Sequence, residues 1–258
     1  MNKLFDLTDK VVVITGASSG LGADAAVAFA ESGAKVALLA RRKEKLEEVK
    51  QNVLSSGGEC IAVTCDVEDE TSVKNAISEV LAHFGTIDVL INNAGIAVRG
   101  GVDTLTVENW DKALNTNLRG VFLVSKYVVP TMKAKKYGKI VNIASINAVI
   151  ADKDHTFIRH SYNASKAGIH GLTVGMACSY AEYGITVNTV GPGFFESEMT
   201  AGTLFKSDTF LTNHNTQNPT SRPGRRGELN GTLLYLSSDA SSYVQGQLIL
   251  VDGGLTLI

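Results

Sequence analysis

A segment near the N-terminus indicates the fold, because it joins an expected strand to an expected helix through a glycine-rich turn. It reads Val11-Val12-Val13-Ile14-Thr15-Gly16-Ala17-Ser18-Ser19-Gly20-Leu21-Gly22. Its first five residues are all β-branched and predict a buried strand, and a segment with helical periodicity begins at Ala23. The glycines let the chain turn tightly, and the helix start then offers free N–H groups to an anion. A glycine cluster alone is a weak motif, but its place between a strand and a helix indicates a phosphate-binding loop.

The same alternation of strand and helix continues along the chain. Continuous apolar strands separated by helices predict a parallel sheet that is covered on both faces. We therefore expect a single α/β domain over residues 1–258, a doubly wound (Rossmann) fold with about seven strands. Residues 196–225 are polar, irregular and partly helical in pattern, and we expect them to form a substrate lid or loop. The expected strands are Val11–Thr15, Val36–Ala40, Cys60–Cys65, Val89–Asn92, Ile140–Ala144, Thr186–Val190 and Leu248–Val251.

The bulk composition argues against several classes of protein. A formal net charge of −2 does not suggest a nucleic-acid partner. No apolar run approaches the ~18 residues that span a bilayer, and the N-terminus lacks an apolar signal region, so we expect a cytoplasmic protein without a membrane partner. The three cysteines fit neither a disulfide framework nor a metal motif, and His155 and His160 lack an acidic partner at ligand spacing. We therefore expect no metal.

The residues after the second expected strand bear on the choice of dinucleotide. Sites for NAD usually carry an acidic residue there, which binds the ribose 2′-hydroxyl. Here the sequence is Leu39-Ala40-Arg41-Arg42, and two guanidinium groups would bind a 2′-phosphate. This predicts NADP(H), held mainly by Arg41 with help from Arg42. The alternative is a solvated basic start to the next helix, because Lys43 and Lys45 follow. Asp66, after the third strand, either faces the adenine or caps the next turn.

Three polar side chains in the second half of the chain predict proton-transfer chemistry. Tyr162 and Lys166 are four residues apart and share one face of a predicted helix. A free tyrosine has a pKa of about 10, and a neighbouring ammonium group lowers it. Ser145 ends the strand Ile140–Ala144, and ligands of open parallel sheets lie beyond the carboxyl ends of strands. Ser145 could therefore donate a hydrogen bond to the substrate oxygen that Tyr162 protonates. Together these residues predict the interconversion of a secondary alcohol and a ketone.

In order and in spacing, these residues resemble the short-chain dehydrogenase/reductase family over essentially the whole chain. The resemblance implies that Tyr162 is the acid/base, that Ser145 positions the carbonyl and that Lys166 holds the ribose and lowers the pKa of Tyr162. It also implies that Asn117 anchors a water in a proton relay, and that the protein is a homotetramer. The motifs that carry it, besides these four residues, are Thr15-Gly16-x-x-x-Gly20-x-Gly22, Asn92-Asn93-Ala94-Gly95, Gly191-Pro192-Gly193 and Val251-Asp252-Gly253-Gly254.

Two features depart from the family pattern. Tyr162 follows Ser145 by 17 residues, a few more than usual, which predicts a reshaped substrate entrance. Ser197 stands where the family often has threonine, and the hydroxyl is retained. The expected cofactor-binding residues are Gly16, Ser18, Ser19, Gly20, Leu21, Gly22, Arg41, Arg42, Asp66, Val67, Asn93, Ala94, Gly95, Tyr162, Lys166, Pro192, Gly193 and Ser197.

Within the family, the chain is most similar to gluconate 5-dehydrogenase-type members, which act on sugar acids and polyols. The similarity rests on Leu4-Phe5-Asp6-Leu7, on Glu198-Met199-Thr200 and on the apolar tail Leu255–Ile258. The similarity implies a small-molecule substrate. Arg99 has two possible roles: its guanidinium group binds a carboxylate of the substrate, or it is a solvated charge on a loop. The expected substrate-binding residues are Arg99, Ser145, Asn147, Tyr162 and Phe195.

Two other functions compete with this prediction. A 3-oxoacyl-carrier-protein reductase belongs to the same family, but it would need a basic surface for the acidic carrier protein, which the overall charge does not supply. An NADP-binding sensor or scaffold without catalysis is the alternative of another class. The intact set of Asn117, Ser145, Tyr162 and Lys166 argues against it.

Overall fold

The computed structural model describes residues 3–151, 157–196, 200 and 204–257. Its strands are β1 (Val11–Thr15), β2 (Lys35–Ala40), β3 (Glu59–Thr64), β4 (Val89–Asn92), β5 (Gly138–Ile143), β6 (Ile185–Pro192) and β7 (Leu248–Val251). Its helices are α1 (Gly20–Glu31), α2 (Lys43–Ser55), α3 (Glu70–Phe84), α4 (Val107–Leu114), α5 (Gly120–Lys135), α6 (His160–Tyr180), α7 (Asp208–Gln217) and α8 (Asn230–Ser237).

The seven strands form one parallel sheet in the order β3-β2-β1-β4-β5-β6-β7. The chain runs outward from β1 to β3 and then returns to place β4 on the other side of β1. The loops that follow β1 and β4 therefore diverge, which opens a crevice at the carboxyl ends of the strands. This confirms the predicted doubly wound α/β fold, and the strand boundaries differ from the expected ones by two residues or fewer.

Both faces of the sheet are covered, which explains the uninterrupted apolar strands. Every residue of β1, β4, β5 and β6 is buried. On one face Ile14 and Leu38 pack in the same apolar cluster as Phe29 of α1. On the other face Leu90 shares a cluster with Met132 of α5. Burial on this scale is the main stabilising contribution to the domain.

One turn of π-helix, Asn115–Arg119, joins α4 to α5. The amide of Gly120 bonds the carbonyl of Asn115, five residues earlier, so the regular α-helical pattern is interrupted there. The sequence predicts helical segments near Trp110–Asn117 and over Val121–Lys135, but it does not predict the π-turn. Such turns occur frequently at functional sites, and this one contains Asn117.

The region 196–225 is partly helical where it is described. A short 3₁₀ turn, Leu204–Lys206, precedes α7, and the Ser207 hydroxyl caps α7 by accepting a bond from the Phe210 amide. Beyond α7, an ion pair between Arg226 and Asp24 ties the chain to α1. The helix agrees with the partly helical segment expected from the sequence, and its role as a lid stays a prediction.

The described part of the chain has neither a membrane-spanning helix nor a metal-binding cluster. None of its helices combines the length and the apolar character that crossing a bilayer requires. In the same residues, no three histidine, cysteine, aspartate or glutamate side chains are grouped so that they could hold a metal ion.

Candidate active site

A deep cleft lies at the carboxyl edge of the sheet. Residues that follow β1, β2, β4, β5 and β6 line it, and α7 closes one side. The expected site residues that line it are Gly16, Ser18, Ser19, Gly20, Leu21, Arg41, Arg42, Val67, Asn93, Ala94, Gly95, Ser145, Asn147, Tyr162, Lys166, Pro192, Gly193 and Phe195. Four expected residues, Gly22, Asp66, Arg99 and Asn117, do not line it, and Ser197 lies outside the described residues.

The glycine loop after β1 packs tightly against the loop after β4. Gly16 has a φ of +66°, and a Cβ atom on it would lie 2.8 Å from the Cα atom of Ala94. A Cβ atom on Gly22 would lie 2.5 Å from Nδ2 of Asn93, so the absence of a side chain at Gly22 leaves room for the Asn93 amide. Asn93 Nδ2 in turn donates to the Thr15 carbonyl over 3.0 Å. These two positions therefore require glycine for packing and conformation.

The first turn of α1 can bind an anion. Ser19 occupies the N-cap position, but its side chain makes no capping hydrogen bond to the helix. Ser19, Gly20 and Leu21 all line the cleft. Because the first N–H groups of a helix have no partner within it and carry a partial positive charge, this turn suits a pyrophosphate.

The two arginines after β2 have different surroundings. Arg42 donates from Nη2 to the hydroxyl oxygens of Ser18, at 3.1 Å, and Ser19, at 2.8 Å, so its guanidinium group is held against the glycine loop. Arg41 lies 3.8 Å from the carboxylate of Glu68. The sequence predicts the main role for Arg41, whereas the geometry favours Arg42, because its guanidinium group is bonded to the glycine loop.

Asp66 takes the second of the two roles that the sequence left open. Its carboxylate accepts a 3.0 Å bond from the amide of Glu68, which closes a turn. Its neighbours Cys65 and Val67 line the cleft, but Asp66 does not. The short polar side chain stabilises the local turn instead of facing the cleft.

The proton-transfer residues meet at the other end of the cleft. Tyr162 lies in the first turn of α6, and Nζ of Lys166 is 5.5 Å from the centroid of its ring. Lys166 is 4% exposed and donates a 2.8 Å bond to the carbonyl of Ile143 in β5. Burial lowers the pKa of Lys166 to about 8. Ser145 follows the same strand, and its hydroxyl accepts from the Asn147 amide at 3.1 Å.

Asn117 lies behind this group and is completely buried. Its Oδ1 accepts from the Ile96 amide at 2.8 Å, and its Nδ2 donates to the Ile96 carbonyl at 2.9 Å and to the Ser165 hydroxyl at 3.0 Å. Ser165 donates to the carbonyl of Tyr162. The Asn117 side chain therefore connects the loop after β4 to the turn that carries Tyr162. Both donors of its amide are used in these bonds, so a water in a proton relay would have to bind an oxygen atom of Asn117.

A second cation lies beside the tyrosine. The Cζ atom of Arg159 is 5.4 Å from the centroid of the Tyr162 ring, and Arg159 lines the cleft. Arg99, in contrast, is exposed and lies over the ring of Phe157, with Cζ 5.5 Å from its centroid. The sequence did not single out Arg159 as a site residue. Two signals pointed to it, its place three residues before Tyr162 and the excess of basic residues in the insertion, which suggested a carboxylate-bearing substrate.

Aromatic rings enclose the substrate end of the cleft. Phe194 stacks on Phe205 with centroids 4.7 Å apart and meets Phe210 of α7 edge to face at 4.9 Å. His214 of α7 packs against Phe194 at 5.1 Å. Phe157 contacts Phe210 at 5.3 Å. Phe157, Phe194, Phe210 and His214 line the same cleft as Tyr162, and a wall of this kind can exclude water from a bound substrate.

Comparison with known proteins identifies the class of protein. A family model described as "Enoyl-(Acyl carrier protein) reductase" matches residues 16–256. A 3-oxoacyl-(acyl-carrier-protein) reductase of Staphylococcus aureus is 37% identical over 247 residues, which are 95% of this chain and 98% of that protein. The gluconate 5-dehydrogenase of Gluconobacter oxydans is 35% identical over 254 residues, which are 98% of this chain and 97% of that protein.

Solved structures agree with this class. A gluconate 5-dehydrogenase of Burkholderia cenocepacia, crystallised with NADP and tartrate, superimposes with a TM-score of 0.93 and is 35% identical. The match covers 99% of this chain and 98% of that one. The chain therefore belongs to the short-chain dehydrogenase/reductase family and is an oxidoreductase. Among its relatives are both sugar-acid dehydrogenases and acyl-carrier-protein reductases.

Proposed function

We propose that this protein is an NADP(H)-dependent oxidoreductase that interconverts a secondary alcohol and a ketone on a small polar substrate, such as a polyol or a sugar acid like gluconate. The observation that carries the proposal is the meeting of Ser145, Tyr162 and Lys166 at one end of a cleft whose other end is a phosphate loop with two arginines. The protein residues fit a dinucleotide phosphate because the glycine loop admits no Cβ atom at Gly16, the α1 N-terminus is uncapped and Arg42 lies against the same loop.

The chain's own residues account for the handling of the proton. When bound, the nicotinamide supplies or accepts a hydride at the substrate carbon. In ketone reduction the Tyr162 hydroxyl donates its proton to the substrate oxygen, and the Ser145 hydroxyl donates a hydrogen bond to that oxygen. The Lys166 ammonium group favours the phenolate that remains, because an opposite charge nearby stabilises the charged form. Alcohol oxidation uses the same residues in reverse.

The preference for NADP(H) over NAD(H) rests on charge. No acidic side chain follows β2, and the guanidinium groups of Arg41 and Arg42 stand there instead. The related gluconate 5-dehydrogenase of known structure was crystallised with NADP, which supports the same assignment. Expected contacts of Ser197 with the cofactor remain part of the proposal.

A 3-oxoacyl-carrier-protein reductase is the second candidate. The aromatic residues Phe157, Phe194 and Phe210 line the substrate end of the cleft, and apolar walls of this kind also suit an acyl chain. A related protein carries that activity in its name. The cationic lining favours a small anionic or polar substrate over a long apolar one, so we place the sugar acid first.

We further propose a homotetramer, located in the cytoplasm. Phe122 of α5 is 49% exposed and lies beside an apolar groove that also contains Leu118 and Leu172. A Cβ atom on Gly171 or Gly175 of α6 would meet nothing within 4 Å, so these glycines do not serve packing within the chain. The apolar residues of the edge strand β7 are only partly buried. The groove beside Phe122 and the edge strand β7 thus form two apolar surfaces. A closed dihedral tetramer uses two different interfaces of this kind.

The test is a coupled assay of NADPH oxidation over keto acids, ketoses and acyl ketones, with wild type and Tyr162→Phe. We expect turnover with a keto acid or ketose. We expect Tyr162→Phe to lower kcat by about 10²- to 10⁴-fold while NADPH binding, followed by fluorescence, stays close to that of wild type. A variant with near wild-type kcat would contradict the role of Tyr162. Binding of NADPH without turnover of any ketone would favour a sensor or scaffold, and a strong preference for acyl thioesters would favour the second candidate.

A further inference from the structure

The charged residues that line the described part of the cleft all have the same sign. The charged side chains in the described lining are those of Arg41, Arg42, Arg159 and Lys166. No aspartate or glutamate is among the described residues that line the cleft. A cleft lined by one sign of charge between apolar walls concentrates ligands of the opposite sign. The arginines after β2 lie at the phosphate loop, and two cations remain for the substrate end.

These two cations are not equivalent. Lys166 is buried, donates to the carbonyl of Ile143 and lies beside the Tyr162 ring. The ammonium group of Lys166 therefore interacts with the ring of Tyr162 and with the main chain of β5. Arg159 is only half-buried and lines the cleft at the Tyr162 ring, with Cζ 5.4 Å from the centroid. The guanidinium group of Arg159 is therefore the cation that a substrate in front of Tyr162 can reach.

The backbone of Arg159 is held in place. It forms a bridge with Gly100, in which the Gly100 amide donates to the Ile158 carbonyl at 2.9 Å and the His160 amide donates to the Gly100 carbonyl at 3.2 Å. Arg159 is also the N-cap residue of α6, which carries Tyr162 in its first turn. A side chain anchored this close to the acid/base residue can orient a substrate, because its position is fixed relative to the phenol.

We propose that Arg159 binds the carboxylate of a keto-acid or hydroxy-acid substrate and so holds its reacting carbon against Tyr162 and Ser145. A guanidinium group presents paired N–H donors that match a carboxylate. The inference rests on the proposed function and names the residue that recognises its substrate class. It replaces the clamp expected at Arg99, whose guanidinium group packs over Phe157 outside the cleft lining.

The test compares two ketones that share a carbon chain and differ by one carboxylate, 5-oxohexanoate and 2-hexanone, with NADPH as the reductant. The quantity measured is the ratio of their kcat/KM values in wild type, Arg159→Gln, Arg159→Lys and Arg99→Gln. We expect wild type to favour the acid and Arg159→Gln to lower the ratio by about 10- to 150-fold, as for the loss of a charged hydrogen bond. We expect Arg159→Lys to restore part of it and Arg99→Gln to keep the wild-type ratio.

Each outcome separates this inference from the proposed function. If wild type reduces both ketones without preferring the acid, or if Arg159→Gln keeps the ratio, the carboxylate site is not at Arg159. A fall of the ratio in Arg99→Gln with an unchanged ratio in Arg159→Gln would return the site to Arg99. If wild type oxidises NADPH with neither ketone, the inference fails, whereas the proposed function fails only if none of the keto acids, ketoses and acyl ketones of the first assay is turned over. Thermal unfolding and NADPH binding of Arg159→Gln check that the variant is folded, because a purely structural role would lower both rates alike and leave their ratio unchanged.

Discussion

The Nζ atom of Lys166 donates a 2.8 Å hydrogen bond to the main-chain carbonyl of Ile143. This bond joins α6 to the carboxyl end of β5 and places the lysine between the tyrosine in its own helix and the serine that follows the strand. A buried ammonium group with one carbonyl partner is only partly compensated for the loss of water. The contact fixes the position of the Lys166 ammonium group, and its burial lowers the pKa of Lys166 to about 8.

This burial makes the stability of the protein depend on pH. The pKa of Lys166 is about 8 in the folded chain and about 10.4 in the unfolded chain. Between these values the unfolded chain binds a proton that the folded chain does not, so the free energy of unfolding rises with pH. At pH below 8 the lysine is charged in both states and its burial is least favourable.

The prediction is tested by urea unfolding of wild type and Lys166→Met at pH 6.5 and pH 10. We expect the stability of wild type relative to the variant to increase by about 2–3 kcal/mol over this range. Gln51→Met, on the exposed face of α2, serves as the control for adding a methionine. A difference that stays constant with pH would show that Lys166 titrates normally.

Arg42 should determine the choice of cofactor. Its guanidinium group bonds the hydroxyls of Ser18 and Ser19 in the glycine loop. We expect Arg42→Ala to raise the KM for NADPH by about 10- to 150-fold, the loss of a charge-assisted bond to phosphate, and to change the KM for NADH little. We expect a smaller effect from Arg41→Ala, because Glu68 lies near that side chain.

Steady-state kinetics with both cofactors measures this, and Lys45→Ala is the matched control, since Lys45 is on the same basic segment but pairs with Glu48. A wild type that prefers NADH would overturn the prediction. So would an Arg42 variant that loses both cofactors equally.

Gly16 should tolerate no side chain. Its φ of +66° is unfavourable for other residues, and an added Cβ atom would lie 2.8 Å from the backbone of Ala94. Gly57 has a φ of +80° with nothing within 4 Å of an added Cβ atom, so it isolates the conformational cost. We expect Gly57→Ala to cost about 1–2 kcal/mol of stability and Gly16→Ala to cost a further 1–3 kcal/mol. Chemical denaturation of both variants checks this, and equal costs would contradict the close contact.

The apolar groove between α5 and α6 should be an interface between subunits. We expect Phe122→Glu to shift the protein from a tetramer to a smaller species in light scattering, because a charge would be buried without a partner. Leu54→Glu, on α2 and 40% exposed, should leave the assembly intact. A monomeric wild type, or a Phe122 variant that remains tetrameric, would remove this face from the assembly.

The alternation of strands and helices and the position of the glycine loop could be predicted from the sequence alone. The sequence also placed Tyr162 and Lys166 on one helix face. Each of these depends on residues that are neighbours along the chain, where β-branched runs, helical periodicity and glycine conformations act directly. The doubly wound sheet followed because apolar strands alternating with helices leave few other arrangements.

The packing of the chain distinguishes side chains that look alike in the sequence. Arg41 and Arg42 are adjacent and both line the cleft, and Arg99 and Arg159 are both basic residues near the sheet edge. The sequence predictions favoured Arg41 and Arg99, and no local pattern distinguishes either arginine from its counterpart. In the folded chain, Arg42 bonds the hydroxyl groups of Ser18 and Ser19. The bridge between Gly100 and Arg159 places Arg159 beside the ring of Tyr162. Such contacts join residues far apart in the chain. Their distances depend on how the loops and helices pack together, which no local pattern in the sequence encodes.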